Sequence, residues 1–287
     1  MTTTTSARPA SPRQMTISAF VTFAAFGAFW GVWGASVPQI KLQAGVSDGQ
    51  LGFALFFVGA GGLPAMLLEG RALDRFGMRG AGWLTGALGV VGAGMALTAT
   101  DLPRLCIGLT VVGAVSGAAD VANNAIAGRA EQLSGRPVIT RAHGAFSSLV
   151  VLASLATGLA SAASLPLAVP FVAVTALSVL AGISLHKAVP VGAVPHHHSR
   201  LATSSAAADS SRRIVPFILI GALGALAFAS ENAHQSWSAV FAHDELGSGN
   251  GLSAVAPAVF ATTVAITRFA TGGLEAAHAR TVVLAGA

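Results

Sequence analysis

Two acidic residues stand where acidic residues are expensive. Asp120 lies deep in a long apolar run, and Ser116, Asp120, Asn123 and Asn124 are spaced i, i+4, i+7 and i+8, which puts them on one face of a helix. Glu231 lies in another apolar run, where Glu231, His234, Gln235 and Ser238 are spaced i, i+3, i+4 and i+7 beside Trp237. Charge at bilayer depth costs about 2.5–3.5 kcal/mol on insertion scales, so each carboxylate is a candidate functional group. A carboxyl withdrawn from water can load and release a proton during a cycle. A carboxylate, an imidazole and an amide on one face can hold a polar, hydroxyl-rich or charged solute. Structural readings stand beside both: Asp120 as a hydrogen bond between the fourth helix and the second or fifth, and the Glu231 stripe as a partly wet outer helix end with Trp237 in the interfacial aromatic belt.

Trp30 and Trp33 lie among Gly27, Gly31 and Gly34. Aromatic walls stack on flat solute faces, whereas tryptophans near a helix end anchor the membrane interface. Both readings stand for Trp30, and the interfacial belt is expected for Trp33. Gly113 and Gly117, like Gly59 with Pro64, are expected to permit close or bent helix crossings. Arg141 and His143, at the inner start of the fifth apolar run, are expected to be ordinary basic residues of the inner surface, the other reading being that they join a charged network with the loop after the second run. The tract His196-His197-His198, with His186 upstream, lacks a carboxylate or cysteine at ligand spacing, so a low-complexity linker is expected and no metal site. Cys106 is the only cysteine, which excludes a disulfide framework. A nucleophile elbow, an H-E-x-x-H pair, paired catalytic carboxylates and a nucleotide-binding loop are all missing from the sequence. An enzyme, a cofactor and ATP-driven transport are therefore not expected.

These residues need a membrane around them. Charged residues make up 9% of the 287, apolar residues 53%, and there are 34 glycines. Mean hydropathy is +0.70. That composition leaves too little polar surface for a soluble globule but suits helices packed in lipid. The net charge of +5 arises from basic residues scattered singly, with no continuous patch, so nucleic acid is not an expected partner. A spanning helix needs roughly 20 mainly apolar residues. Such runs fall at about 16–37, 49–68, 80–99, 102–127, 143–163, 164–186, 214–241 and 251–272, and a ninth begins near Thr281. With the N-terminus inside, 14 of the 16 Lys and Arg residues face the cytoplasm and only Lys41 and Arg104 face out. This positive-inside bias predicts a cytoplasmic N-terminus. The expected organisation is a tail over 1–15, a six-helix bundle over 16–186, a cytoplasmic linker over 187–213 and an incomplete second bundle over 214–287.

The stretch Gly70-Arg71-Ala72-Leu73-Asp74-Arg75-Phe76-Gly77-Met78-Arg79 concentrates charge between the second and third apolar runs. Six helices, a linker, further helices and this G-x-x-x-D-R-F-G-x-R loop resemble the major facilitator superfamily. The resemblance covers about 16–287. It implies an all-α integral membrane protein that moves a small-molecule solute by alternating access between two bundles, as symporter or efflux carrier, with protons as a candidate coupling ion. It also implies that Gly70, Asp74, Arg75, Gly77 and Arg79 form a conformational latch on the cytoplasmic face. An ordinary positive-inside loop would need the arginines but neither the acid nor the glycines. Asp120-Val121-Ala122-Asn123-Asn124-Ala125, His143-Gly144-Ala145-Phe146-Ser147 and the Glu231 to Gly247 stretch look like a bacterial inner-membrane branch related to fucose-permease-like carriers. Against the twelve helices of such carriers, this chain is expected to supply eight and part of a ninth. A truncated remnant with a structural or partner-binding role is the alternative. The second copy of the latch, near Arg268 and Gly272, has Gly273 where an acid is expected and Glu275 later. Substrate and oligomeric state are not legible.

Overall fold

The computed structural model describes residues 11–78, 80–189 and 210–271, excluding the side chains of 210–217 and 250. Arg79, His196 to His198, most of the expected linker, Gly272, Gly273, Glu275 and the segment from Thr281 fall outside the described residues. What is described is helical. The elements are α1 (Pro12–Ala44), α2 (Asp48–Phe76), α3 (Gly80–Thr98), α4 (Leu102–Ser134), α5 (Ile139–Ala162), α6 (Ala168–Ala188), α7 (Ser210–Asp244), the single turn α8 (Asn250–Ser253) and α9 (Val255–Thr271). Among the described residues, seven helices are long and apolar enough to cross a bilayer, α8 and α9 counting together. The seventh expected run, 214–241, is outside these seven and lies within α7, which has 35 residues.

Most helices outrun their apolar runs because capping residues, not hydropathy, set the ends. Ser11 accepts the Gln14 N–H and Pro12 opens α1, so α1 starts ahead of the expected 16. Ser47 and Gln50 form a reciprocal capping box on α2. Asp101 accepts the Arg104 N–H at the start of α4, and Gly135, at φ 63°, ends it. The backbone N–H groups of Val138 and Ile139 donate to the Glu131 carboxylate at 2.8 and 3.1 Å, so a residue of α4 caps the start of α5. The charged stretch differs most from expectation. Gly70 to Phe76 form the last turns of α2 and not a loop, and the chain turns only at Gly77, where φ is 75° and the N–H returns to the Leu73 carbonyl.

Three seams organise the first six helices: α1 on α5, α2 on α4, and α3 on α6. Exchanging α1–α3 for α4–α6 maps the α1/α5 seam onto α4/α2, the α3/α6 seam onto itself and α1/α6 onto α4/α3. The bundle is therefore two three-helix repeats, and an odd number of helices inverts the second repeat in the bilayer. This internal repeat was not anticipated from the sequence. Small residues make each seam close. A Cβ on Gly31 of α1 would stand 2.6 Å from the Val150 carbonyl oxygen of α5, one on Gly117 of α4 2.7 Å from that of Gly62 in α2, and one on Gly82 of α3 2.6 Å from that of Gly182 in α6. Outward faces carry large apolar side chains such as Phe53, Phe56, Leu67 and Leu159, as contact with lipid requires.

Two apolar clusters fill the bundle. Phe29, Trp33, Leu51, Leu105 and Phe171 belong to the first, in the half of the bundle where α1 ends, and Met15, Phe23, Leu73, Ile126 and Leu185 to the second, in the half where α1 begins. Trp33 is 1% exposed, so it is a core residue and not the belt residue expected. Its position on α1 faces the seams instead of lipid. The end of the bundle where α1 stops is tied by Lys41, which pairs with Asp48 of α2 and, at 2.5 Å, with Asp244 of α7. Gln39 donates to the Ser161 hydroxyl at 2.9 Å.

The seams predict a contrast between two glycines of α3. Gly82→Leu should destabilise the purified protein by about 1–3 kcal/mol through overpacking. Gly94→Leu, where a Cβ meets nothing within 4 Å, should melt like the parent. Identical thermal melts for the two variants would contradict the close-approach account.

Candidate functional site

The two acidic residues meet in one place. At about 1.5 Å rise per residue, Asp120 lies about 27 Å from the N-terminal end of α4 and about 21 Å from its C-terminal end, near the middle of this membrane-capable helix. A cavity of about 420 Å³ opens at that depth, and Asp120, Glu231, Gln235, Trp30, His143 and Arg268 all line it. Ser116, one turn from Asp120, lines it too.

Helix direction explains how charges from distant turns converge. Side chains lean toward the N-terminus of their own helix. Arg268 lies near the C-terminal end of α9, so it leans back toward the middle of that helix. α7 runs antiparallel to α9, so Glu231 leans the opposite way to meet it. The Arg268 Nη2 donates to both Glu231 oxygens, at 3.1 and 3.0 Å. Its Nη1 donates to the Ser147 hydroxyl at 2.7 Å and the His143 carbonyl at 3.5 Å, which ties the pair to α5.

Asp120 belongs to a second chain of contacts. The Asn124 amide donates to the Asp120 carbonyl at 3.0 Å and to its carboxylate at 3.2 Å. The Asn124 carbonyl oxygen lies 3.3 Å from the His143 Nε2, and the His143 ring packs 4.6 Å from that of Phe23. Gln235 donates to the Trp30 carbonyl at 2.8 Å and fastens α7 to α1 where Gly34 admits it. The cavity thus takes polar groups from α4, α5, α7 and α9, and aromatic groups from α1, α5 and α7.

Of the residues singled out in the sequence, Ser116, Asp120, Glu231 and Gln235 line this cavity, and Asn124 is hydrogen-bonded to Asp120. Trp30 faces the cavity as well. Asn123 does not: it is 1% exposed, outside the lining, and its amide has no hydrogen-bond partner among the described residues. Nor does His234, which stacks on Phe260 of α9 at 4.4 Å, donates from Nδ1 to the Ser230 carbonyl at 2.8 Å, and is exposed. The i, i+3 spacing was right for the helix face, but α9 occupies the His234 side of it. His143, Ser147 and Arg268 were missed. His143 and Ser147 are spaced i, i+4 like the stripes that were noticed, and Arg268 is the complement that an intramembrane Glu231 requires. Of the expected latch, Gly70, Asp74, Arg75 and Gly77 sit at the inner end of α2, outside the cavity lining. The Arg75 guanidinium lies 5.5 Å from the centre of the Phe76 ring. Among the described residues no group of three His, Cys, Asp or Glu could hold a metal ion.

Removing one partner of a poorly hydrated ion pair leaves the other charge unmatched. Arg268 and Glu231 keep 23% and 32% of their side-chain exposure, so Glu231→Gln should destabilise the protein by a moderate amount, about 1–3 kcal/mol. Glu231→Gln combined with Arg268→Gln should recover part of that loss in a thermal melt. Strictly additive losses would show that the two residues do not interact.

Comparison with known proteins follows the same direction. A family model described as Major Facilitator Superfamily matches residues 18–287. An uncharacterised MFS-type transporter of Yersinia pestis is 29% identical over 233 residues, which cover 81% of this chain and 58% of that protein. An uncharacterised transporter of Sinorhizobium fredii is 26% identical over 245 residues, covering 81% of this chain and 60% of that protein. The chain therefore spans less than two thirds of the length of these curated relatives. No solved structure matches it significantly.

Proposed function

The chain belongs to the major facilitator superfamily, and from that premise we propose that it carries the solute site of a secondary transporter working by alternating access. One observation carries this reading: a mid-membrane cavity whose charged groups come from helices on both sides of the linker, Asp120 on α4 against Glu231 on α7 and Arg268 on α9. Residues 16–186 act as one rocking bundle, 187–213 as the cytoplasmic linker, and 214–287 contribute the start of the second bundle. The N-terminus lies in the cytoplasm and the protein in a bacterial inner membrane, in keeping with the distribution of Lys and Arg. The motifs around Asp120, His143 and Glu231 support placement near the fucose-permease-like branch.

Opening and closing need contacts that break. Along the outer ends, Lys41 joins α1 and α2 to α7, and its ion pairs are of the kind that exchange with water at modest cost. At the inner end of α2, Gly70, Asp74, Arg75, Gly77 and Arg79 act as the latch of one access state. Asp120 and Glu231 are the candidate proton carriers. A proton on Glu231 would weaken its hold on Arg268, and with it the link between α7 and α9, which couples protonation to the geometry of the cavity.

The reading is tested by a thermal-shift screen of small polar and charged solutes on the purified chain. At least one solute should raise the melting temperature, and its effect should vanish in Asp120→Asn and in Glu231→Gln. A shift that survives both substitutions would move the site elsewhere. For the latch, Asp74→Asn should cut solute uptake by an order of magnitude or more while leaving membrane insertion intact. Uptake at the parental rate would remove Asp74 from the mechanism.

A further inference from the structure

The charges lining the cavity do not balance. Arg268 is already matched by Glu231 through two contacts near 3 Å. Asp120 has no such partner: among the described residues its carboxylate meets only the neutral Asn124 amide, and no cation pairs with it. The Glu231 carboxylate is near enough to add like-charge repulsion. An ordinary histidine, with a value near 6.5, is mostly neutral at pH 7, so His143 adds little positive charge. With Asp120 ionised, the described lining carries one negative charge in excess.

The uncharged part of the lining is strongly aromatic. Phe23, Phe26, Trp30, Phe146 and Phe228 contribute to it. Ring faces attract cations, most strongly when the cation has lost its water. The volume, about 420 Å³, falls in the range of sites that enclose small organic molecules. An anion would have to displace Glu231 from Arg268 and then sit among two carboxylates. A neutral solute would leave the Asp120 charge uncompensated.

The geometry points to a monovalent organic cation with an apolar or aromatic body as the ligand class of this cavity, its charge beside Asp120 and its body against the aromatic wall. This assignment rests on the cavity being the solute site and adds the sign of the solute's charge.

Two probes of equal shape and opposite charge test it: tetraphenylphosphonium and tetraphenylborate, measured by equilibrium dialysis against the purified full chain, with protein-free micelles subtracted. Saturable binding of the phosphonium at least tenfold tighter than that of the borate is expected. Asp120→Asn should weaken phosphonium binding at least tenfold, and Asp120→Glu, which keeps the charge, should retain most of it. Circular dichroism and elution profile verify that both variants are folded. Tighter binding of the borate, lost in Arg268→Ala, would overturn the cation assignment while leaving the cavity as a solute site. No saturable binding of either probe to folded protein would overturn both. Phosphonium binding that Asp120→Asn leaves unchanged would also overturn the assignment.

Discussion

A charge inside a membrane has to find a partner or water, and the Glu231–Arg268 pair is where this chain meets that demand. The pair does more than neutralise itself. Arg268 also donates to Ser147 and to the His143 carbonyl, so one guanidinium joins α7, α9 and α5. Gln235, one turn from Glu231, fastens α7 to α1. Because these polar contacts join α1 and α5 to α7 and α9, they set how those helices face each other across the cavity. Asp120 stands apart from the pair and keeps its charge available.

Packing around the cavity is of a different kind. The seams α1/α5, α2/α4 and α3/α6 rest on glycines that bring backbones together, and such seams have no alternative arrangement without voids. The Lys41–Asp244 ion pair joins α1 to α7 near the C-terminal ends of both helices. Rigid seams within the bundle and exchangeable polar contacts to α7 and α9 are the combination a rocking motion needs. Two inverted three-helix repeats supply the rigid part, with the cavity at the depth where the inner and outer apolar clusters give way to polar side chains.

How much of this was legible depended on the physical signal each residue carries. Apolar runs revealed every long helix, since few other arrangements satisfy a backbone in lipid. Their ends were less visible, because residues such as Ser11 and Glu131 set them by hydrogen bonds beyond the apolar run. Asp120 and Glu231 stood out through the cost of burying charge. Arg268 did not, because an arginine near the inner end of a run reads as an ordinary inner-surface residue, and only the third dimension shows its side chain turning back to Glu231. Trp33 read as an interfacial anchor from its position along α1, but its azimuth, fixed by Gly31 and Gly34 packing on α5 and α7, turns it into the core. The helical extension through Asp74 was hidden for a similar reason: clustered charges suggest a loop, yet six of the seven residues Gly70 to Phe76 are compatible with a helix and Gly77 supplies the stop.

The central claim, that Asp120, Glu231 and Arg268 face one water-accessible cavity at mid-membrane, is tested most directly by thiol labelling in a Cys106→Ser background. Ala229→Cys, on the cavity lining, and Leu180→Cys, on the lipid-facing side of α6, would be exposed in membranes to a charged, water-soluble methanethiosulfonate reagent. The account predicts rapid modification at 229 and little at 180. Protection of 229 equal to that of 180 would contradict it.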